Sequence, residues 1–453
     1  LCRAMSWQTN NNRKGRSVRA GGIIGAALGL SLLVACSDNE VLLQGPRLDI
    51  RDGFAGAQET EVNQALPIRL TPASINTEWT HRGGGPAHRI AHPALGEALA
   101  LQFAVKIGEG NDSGARITAD PVVSNGMSYT VDAYARVTAV SISGETLWTR
   151  DLAPRTDNAS SASGGSLAVS GGRLFVGTGY GRLTALDAAS GNKLWSQDLD
   201  APGTAAPTVA GKLVYIVARD SRAWALDVET GRIAWTADGT APTSNFGGGA
   251  GPAIGNELAV FPFPSGEVLA AFPRGGLTRW STVIAGQRLG HVAASVSDIS
   301  ADPVIDGNRV YVGNVSGRTV ALDLATGERL WTLNDGATGP VWPVGGSIFL
   351  LNDLNELIRA DAASGEVIWR VALPRFVSDR PKRQVDIHAL YGPILAGGRL
   401  IVASSDETLR EFDPVSGALL RTTDLPGGAA SSPIVAGGTL YVVSTKGQLL
   451  AFR

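Results

Sequence analysis

One unit recurs through most of the chain and constrains its fold more than anything else. Residues 164–195, GGSLAVSGGRLFVGTGYGRLTALDAASGNKLW, read as four short strands: 166–169, 173–177, 182–187 and a fourth opening at 192. Apolar and polar residues alternate with a period of two, and Gly, Asn, Asp and Ser mark the turns. The frame returns at 207–235, 303–331 and 343–369, and more loosely up to Trp148 and Trp280. At 393–420 it lacks the tryptophan, and at 433–453 it breaks off after its third strand. The units end at Trp148, Trp195, Trp235, Trp280, Trp331, Trp369, Leu420 and the C-terminus, eight in all. Four strands every 40–45 residues or so describe propeller blades. The expected fold is all-β: an eight-bladed β-propeller of four-stranded blades.

A propeller is one large domain, so 453 residues do not call for two or three. The 57 glycines suit a fold made of tight turns. With 18% charged residues and a formal net charge of −2, nothing points to nucleic acid as a partner. Cys2 and Cys36 both precede the repeats, so the propeller has no disulfide or thiolate metal site available. No metal or cofactor is expected.

Arg13, Lys14, Arg16 and Arg19 precede an uncharged apolar run from Ala20 to Ala35. That order is a secretory signal peptide rather than a membrane span. The run ends in Leu33-Val34-Ala35-Cys36, which resembles a bacterial lipobox. The resemblance implies removal of residues 1–35 and lipid attachment at Cys36. Ser37, where an aspartate would resemble an inner-membrane retention signal, implies sorting to the outer membrane, facing the periplasm. Residues 36–78 are poor in aromatics and lack the repeat, and are expected to tether the lipid to a propeller spanning 79–453.

From Trp79 a Gly-rich opening runs through Gly83-Gly84-Gly85-Pro86, followed by an alternating strand at 99–107 that has no blade of its own. The last unit lacks an outer strand. Pairing 100–106 with 449–452 closes the ring and removes two open edges. His81, His88 and His92 lie close together but match no zinc spacing and have no acidic ligand between them. They are read as structural or surface histidines.

The turn Asp-x-x-[Ser/Thr]-Gly recurs at Asp187, Asp227, Asp323, Asp361 and Asp413. One per blade at the same corner, these carboxylates stand apart on a ring; they cap turns, and no catalytic set is assigned. The six unit-ending tryptophans are expected to bury against the next blade. Trp224 and Trp342 break that pattern and are read as candidate contact surfaces.

The motif Ala-Leu-Asp-x-x-[Ser/Thr]-Gly-x-x-x-Trp resembles the quinoprotein (PQQ-type) propeller repeat from Ile117 to Arg453. Two classes share that repeat. PQQ-dependent dehydrogenases imply a calcium ion, an aspartate base and often an adjacent Cys-Cys ring, whereas the mature chain would keep only Cys36, which lipid would occupy, and there is no Cys-x-x-Cys-His haem site. The chain as a whole resembles the BamB family of outer-membrane assembly lipoproteins, through its lipobox, tether, Gly-Gly-x-Pro-Ala-His opening, eight units and short last blade.

That resemblance implies a non-enzymatic scaffold. It would dock on the periplasmic POTRA domains of BamA and help unfolded β-barrel proteins fold and insert into the outer membrane. Stretches 241–247 and 297–303 are similar to family segments whose preceding loops make the contact. The residues implied for partner binding are Phe246, Arg288, Leu289, Val296, Asp298 and Ile299. The chain departs from better-known members where a Leu-x-Leu-Arg-like run is replaced by Trp235-Thr236-Ala237-Asp238, and where Ser295 stands near an expected arginine. A propeller lipoprotein serving another envelope complex is the alternative. Finally, Arg380, Lys382 and Arg383 beside Phe376 form either a solvated loop or a contact with an acidic partner or lipid headgroups.

Overall fold

A computed structural model describes residues 63–154, 164–241, 249–284, 286, 288 and 298–453. Cys36, the signal segment, Phe246, Leu289 and Val296 lie outside the described residues. Among the described residues the strands form eight antiparallel sheets of four, seven of them meandering in chain order from first strand to fourth. Blades 1 to 7 span 122–151, 165–198, 208–238, 253–283, 299–333, 342–372 and 390–424. Blade 8 joins 434–452 to the early strand Leu101–Lys106.

Blade 2 shows what the alternation means. Its inner strand Gly165–Ser170 is almost wholly buried, whereas the outer strand Lys193–Asp198 alternates between exposed and half-buried. Within it, Leu167, Val169, Leu174 and Val176 face blade 1, while Ala168, Phe175, Leu183 and Ala185 face blade 3. Both faces of the sheet are covered, so the period of two sorts side chains between two interblade cores rather than between core and water.

The tryptophans and turn glycines join neighbouring blades. The indole Nε1 atoms of Trp148, Trp195, Trp235, Trp280 and Trp331 donate to the carbonyls of Ala188, Val228, Pro273, Leu324 and Ala362, at 2.8–3.1 Å. Each ring lies flat on the turn glycine of the next blade. A Cβ added to Gly231 would stand 2.5 Å from the Trp195 ring, and Gly191, Gly276, Gly327 and Gly365 repeat the arrangement. The aspartates cap these turns as expected: Asp227 Oδ1 accepts from Thr230 N at 2.9 Å and from Thr230 Oγ1 at 2.8 Å.

The ring closes as the sequence predicts. Leu101 lies opposite Phe452 and Lys106 opposite Gln448, and Ala100 and Arg453 exchange two hydrogen bonds of 3.0 Å. Phe103, opposite Ala451, occupies the position that tryptophan holds elsewhere and packs on Gly144 of blade 1. Blade 7 needs a correction. Arg421, not Leu420, holds the tryptophan position, opposite Glu411 as Trp195 is opposite Ala185, with the same bulge following in both hairpins. Blade 8 has no turn there to receive a flat ring. Arg421 instead donates to the carbonyl of Glu97, beside the buried Arg399–Glu411 ion pair.

The N-terminal segment does more than lead into the first blade. Asn76 bonds to Val435 and Gly437 of blade 8, and Trp79 pairs with Val123 of blade 1. Thr80 accepts from Val169 N of blade 2, His81 Nε2 from Val209 N of blade 3, Pro86 from Ile254 N of blade 4, and Ala87 from Ile305 N of blade 5. His92 and Pro93 accept from Gly398 and Gly397 of blade 7. Asn63 and Gln64 bond to Arg370 and Ile368 on the outer edge of blade 6. The innermost strands have no further strand on the axial side, and this lacing segment satisfies backbone groups they would otherwise leave unpaired. Its glycines permit the tight path: a Cβ on Gly83 (φ +69°) would meet the His88 carbonyl at 2.5 Å.

Trp224 and Trp342 are not contact surfaces. They are 4% and 8% exposed. Trp342 stacks on Trp79 at 6.3 Å, and Trp224 packs in the core between blades 2 and 3. Each points into a seam that local alternation could not reveal.

Candidate functional site

Antiparallel blades put the turns after their first and third strands on one face of the ring. The turns after the second strands, and the connectors between blades, lie on the other. The lacing segment and the capped aspartates belong to the first face. In chain order the partner-binding residues read from the sequence fall between blades 3 and 4 (Phe246) and between the end of blade 4 and the first residue of blade 5 (the other five).

Of these residues, Arg288, Asp298 and Ile299 are described. Arg288 is held along its length: its N–H donates to the Ser316 carbonyl at 2.7 Å, and its Cβ packs over Gly317. Its guanidinium forks onto Asp353, at 2.8 and 3.1 Å, and reaches Asp335 at 2.9 Å. Asp335 also meets Arg370 at 3.3 Å, and Arg370 meets Glu356 at 2.9 Å. Asn352 donates to Asp335 at 3.0 Å and to Glu356 at 2.7 Å. Burial opposes the charge on Arg288, but the Asp353 and Asp335 carboxylates outweigh it and raise the guanidinium above its ordinary pKa.

Asp298 is elsewhere. It is buried and pairs with Arg219 of blade 3 at 3.4 Å, across the mouth of blade 4. Burial lowers the pKa of Arg219, and Asp298 partly offsets this. Ile299 is buried in the core between blades 4 and 5. The structure therefore joins Arg288 to Asp335 and Asp353, and Asp298 to Arg219, in two separate groups. Sequence reasoning missed Arg219, Asp335, Asp353 and Arg370. Nothing local marks them, because Asp353 lies 65 residues from Arg288. Paired charges of this kind fix the shape of a face.

The axis is filled. Arg82 lies between Asp120 and Asp302, at 3.2 and 2.9 Å. His81 and His88 stand beside it, both buried, and His88 Nδ1 is 2.8 Å from the Pro303 carbonyl. Burial, with a smaller push from His88, lowers His81 to about 3, and burial also lowers His88. These histidines are structural. The axial cavity bordered by Trp79, Trp342 and Arg82 measures about 30 Å³, room for a water or two but not for a quinone ring. The residues on the axis therefore do not fit such a cofactor.

Fold and site together define a class: eight-bladed propellers of the quinoprotein repeat type, with a protein-filled axis and ion-paired connectors. Within it, the chain belongs to the family described as outer membrane protein assembly factor BamB, whose profile matches residues 133–371 and 384–453. The outer membrane protein assembly factor BamB of Yersinia pestis is 25% identical over 319 residues, which cover 68% of this chain and 77% of that protein. The crystal structure of BamB from Moraxella catarrhalis superposes with a TM-score of 0.66 at 17% identity, covering 79% of this chain and all of that one. The fold extends to enzymes. A quinohemoprotein alcohol dehydrogenase from Comamonas testosteroni has a TM-score of 0.64 at 16% identity, over 84% of this chain and 81% of that one.

Proposed function

We propose that this protein is a non-enzymatic scaffold lipoprotein of the β-barrel assembly machinery. Lipid at Cys36 holds it on the periplasmic face of the outer membrane. There it binds the POTRA domains of BamA and assists the folding and insertion of unfolded outer-membrane β-barrel proteins. The observation that carries this reading is the family match across most of the blades, in a chain that also has a lipobox. The ion pairs around Arg288 support it: a binding surface held by paired charges loses little order on docking. A tether to the membrane raises the local concentration of partners there. The axis, filled by Arg82 and the stacked Trp79 and Trp342, weighs against the dehydrogenase reading.

Calorimetry of the chain from Ser37 onward with the purified periplasmic region of BamA tests the proposal. Saturable binding is expected, weakened by Phe246→Ala and Arg288→Ala in protein that melts as a folded unit. Binding that survives both changes moves the site to another face. Absence of binding at high concentration rejects the reading in favour of another envelope complex.

A further inference from the structure

The connector between blades 6 and 7 is built differently from the paired-charge connectors beside it. Its 17 residues, 373–389, fold back as a finger. Phe376 bridges Ile387, Val377 N donates to the Asp386 carbonyl at 3.0 Å, and His388 N donates to the Arg375 carbonyl at 2.8 Å. Asn355 grips both limbs at the base, donating to the carbonyls of Pro374 and His388 at 3.2 and 2.9 Å. Beyond this base the finger is solvent-exposed and amphipathic. Val377, Val385 and Ile387 are 59%, 82% and 52% exposed. Arg380, Lys382 and Arg383 are exposed beside them, and among the described residues no ion pair engages these three. With Arg375, the finger has four cations against Asp379 and Asp386, on a chain whose net charge is −2.

The finger also stands near the first described residues, Asn63 and Gln64. Asn63 lies against Arg370 and Gln64 against Ile368, so this segment runs opposite to the outer strand Val367–Ala372. Its upstream end therefore points toward Ala372, where the finger begins. Only 26 residues separate Asn63 from Cys36, a reach of at most about 90 Å.

We infer that the finger 373–389 is a membrane contact. Its cations bind the headgroups of an anionic lipid surface, and Val377, Val385 and Ile387 enter the interface. This rests on the reading that Cys36 is lipidated. Local positive charge with exposed aliphatic side chains matches an interfacial binding segment, whereas a solvated loop has no need of a largely bare Val385.

The experiment uses the unlipidated chain from Ser37, which contains the whole compact unit Thr60–Arg453. Its co-sedimentation is measured with phosphatidylcholine vesicles, with and without phosphatidylglycerol. Binding is expected only with phosphatidylglycerol and falls with added salt. Replacing Arg380, Lys382 and Arg383 together by Ser should weaken it about a hundredfold, each cation near such a surface contributing about fivefold. Val385→Ser should weaken it at unchanged charge. All four side chains are exposed, so circular dichroism should show an unaltered fold. Wild-type protein that ignores phosphatidylglycerol vesicles, or a triple variant that binds them equally well, overturns the inference. If vesicles are ignored while the triple variant loses BamA binding, the finger serves an acidic protein instead. If vesicles are ignored and BamA binding is normal in both, the finger fails while the proposed function stands.

Discussion

Gly231 tests the principle that holds the ring together. Gly211 and Gly231, both in blade 3, have nearly the same left-handed backbone, with φ of +61° and +70°. A Cβ at Gly211 meets nothing within 4 Å, whereas one at Gly231 lies 2.5 Å from Trp195 Cε3. Gly211→Ala therefore reports backbone strain alone, about 1–2 kcal/mol, partly offset by the lower entropy of the unfolded chain. Gly231→Ala adds overpacking against an indole that is hydrogen-bonded to the Val228 carbonyl and cannot easily withdraw, a further 1–3 kcal/mol or so. Urea denaturation followed by circular dichroism gives both values. The same pair is then measured with Trp195→Leu, where most of the additional penalty should vanish as a coupling energy. Equal losses for the two alanines, or strict additivity with Trp195→Leu, would refute the seat-and-ring account.

Three further outcomes follow from the structure. The buried His81 stays neutral to about pH 3, whereas the unfolded chain takes up that proton near pH 6.5, so stability should fall on acidification between those values by up to about 1.4 kcal/mol per pH unit. His88 is lowered in the same direction and adds to the effect; His81→Gln should remove one proton from the measured slope. Arg359, buried in blade 6, donates to the carbonyls of Leu66, Pro414 and Val415 at 2.6, 3.3 and 3.1 Å, and Trp369 Nε1 lacks the carbonyl bond made by its counterparts. Arg359→Met should release residues 63–70 to limited proteolysis before the ring unfolds; unchanged cleavage, mapped by mass spectrometry, contradicts this clamp. Deleting 99–107 removes the outer strand of blade 8 and should lower the melting temperature markedly, whereas an unchanged value contradicts the observed closure.

The blades were legible because each is a local object. Turn chemistry and period-two alternation act within about 40 residues, so strand positions, blade number and aspartate caps could be read directly, and the two unpartnered edges pointed to the pairing of 100–106 with 449–452. The candidate site was legible only in part. Arg288 and Asp298 were picked out through a resemblance, but their partners Asp335, Asp353 and Arg219 come from other blades. Trp342 was misread because its stacking partner, Trp79, arrives from the far end of the chain. Arg421 was legible as the counterpart of the tryptophans: it follows Asp413 by eight residues, as Trp195 follows Asp187, and the bulge in that hairpin is the same in both blades.

The sequence alone determined how many blades there are and where each turns, because neighbouring residues decide those features through backbone preference and side-chain alternation. Tertiary structure decided what fills the axis, which glycines seat an indole and which charges lock the connector face. Those outcomes depend on closing the ring, which brings groups far apart in the chain within hydrogen-bonding distance. Arg82 reads as one more cation in a Gly-rich opening until the closed ring sets Asp120 and Asp302 on either side of it.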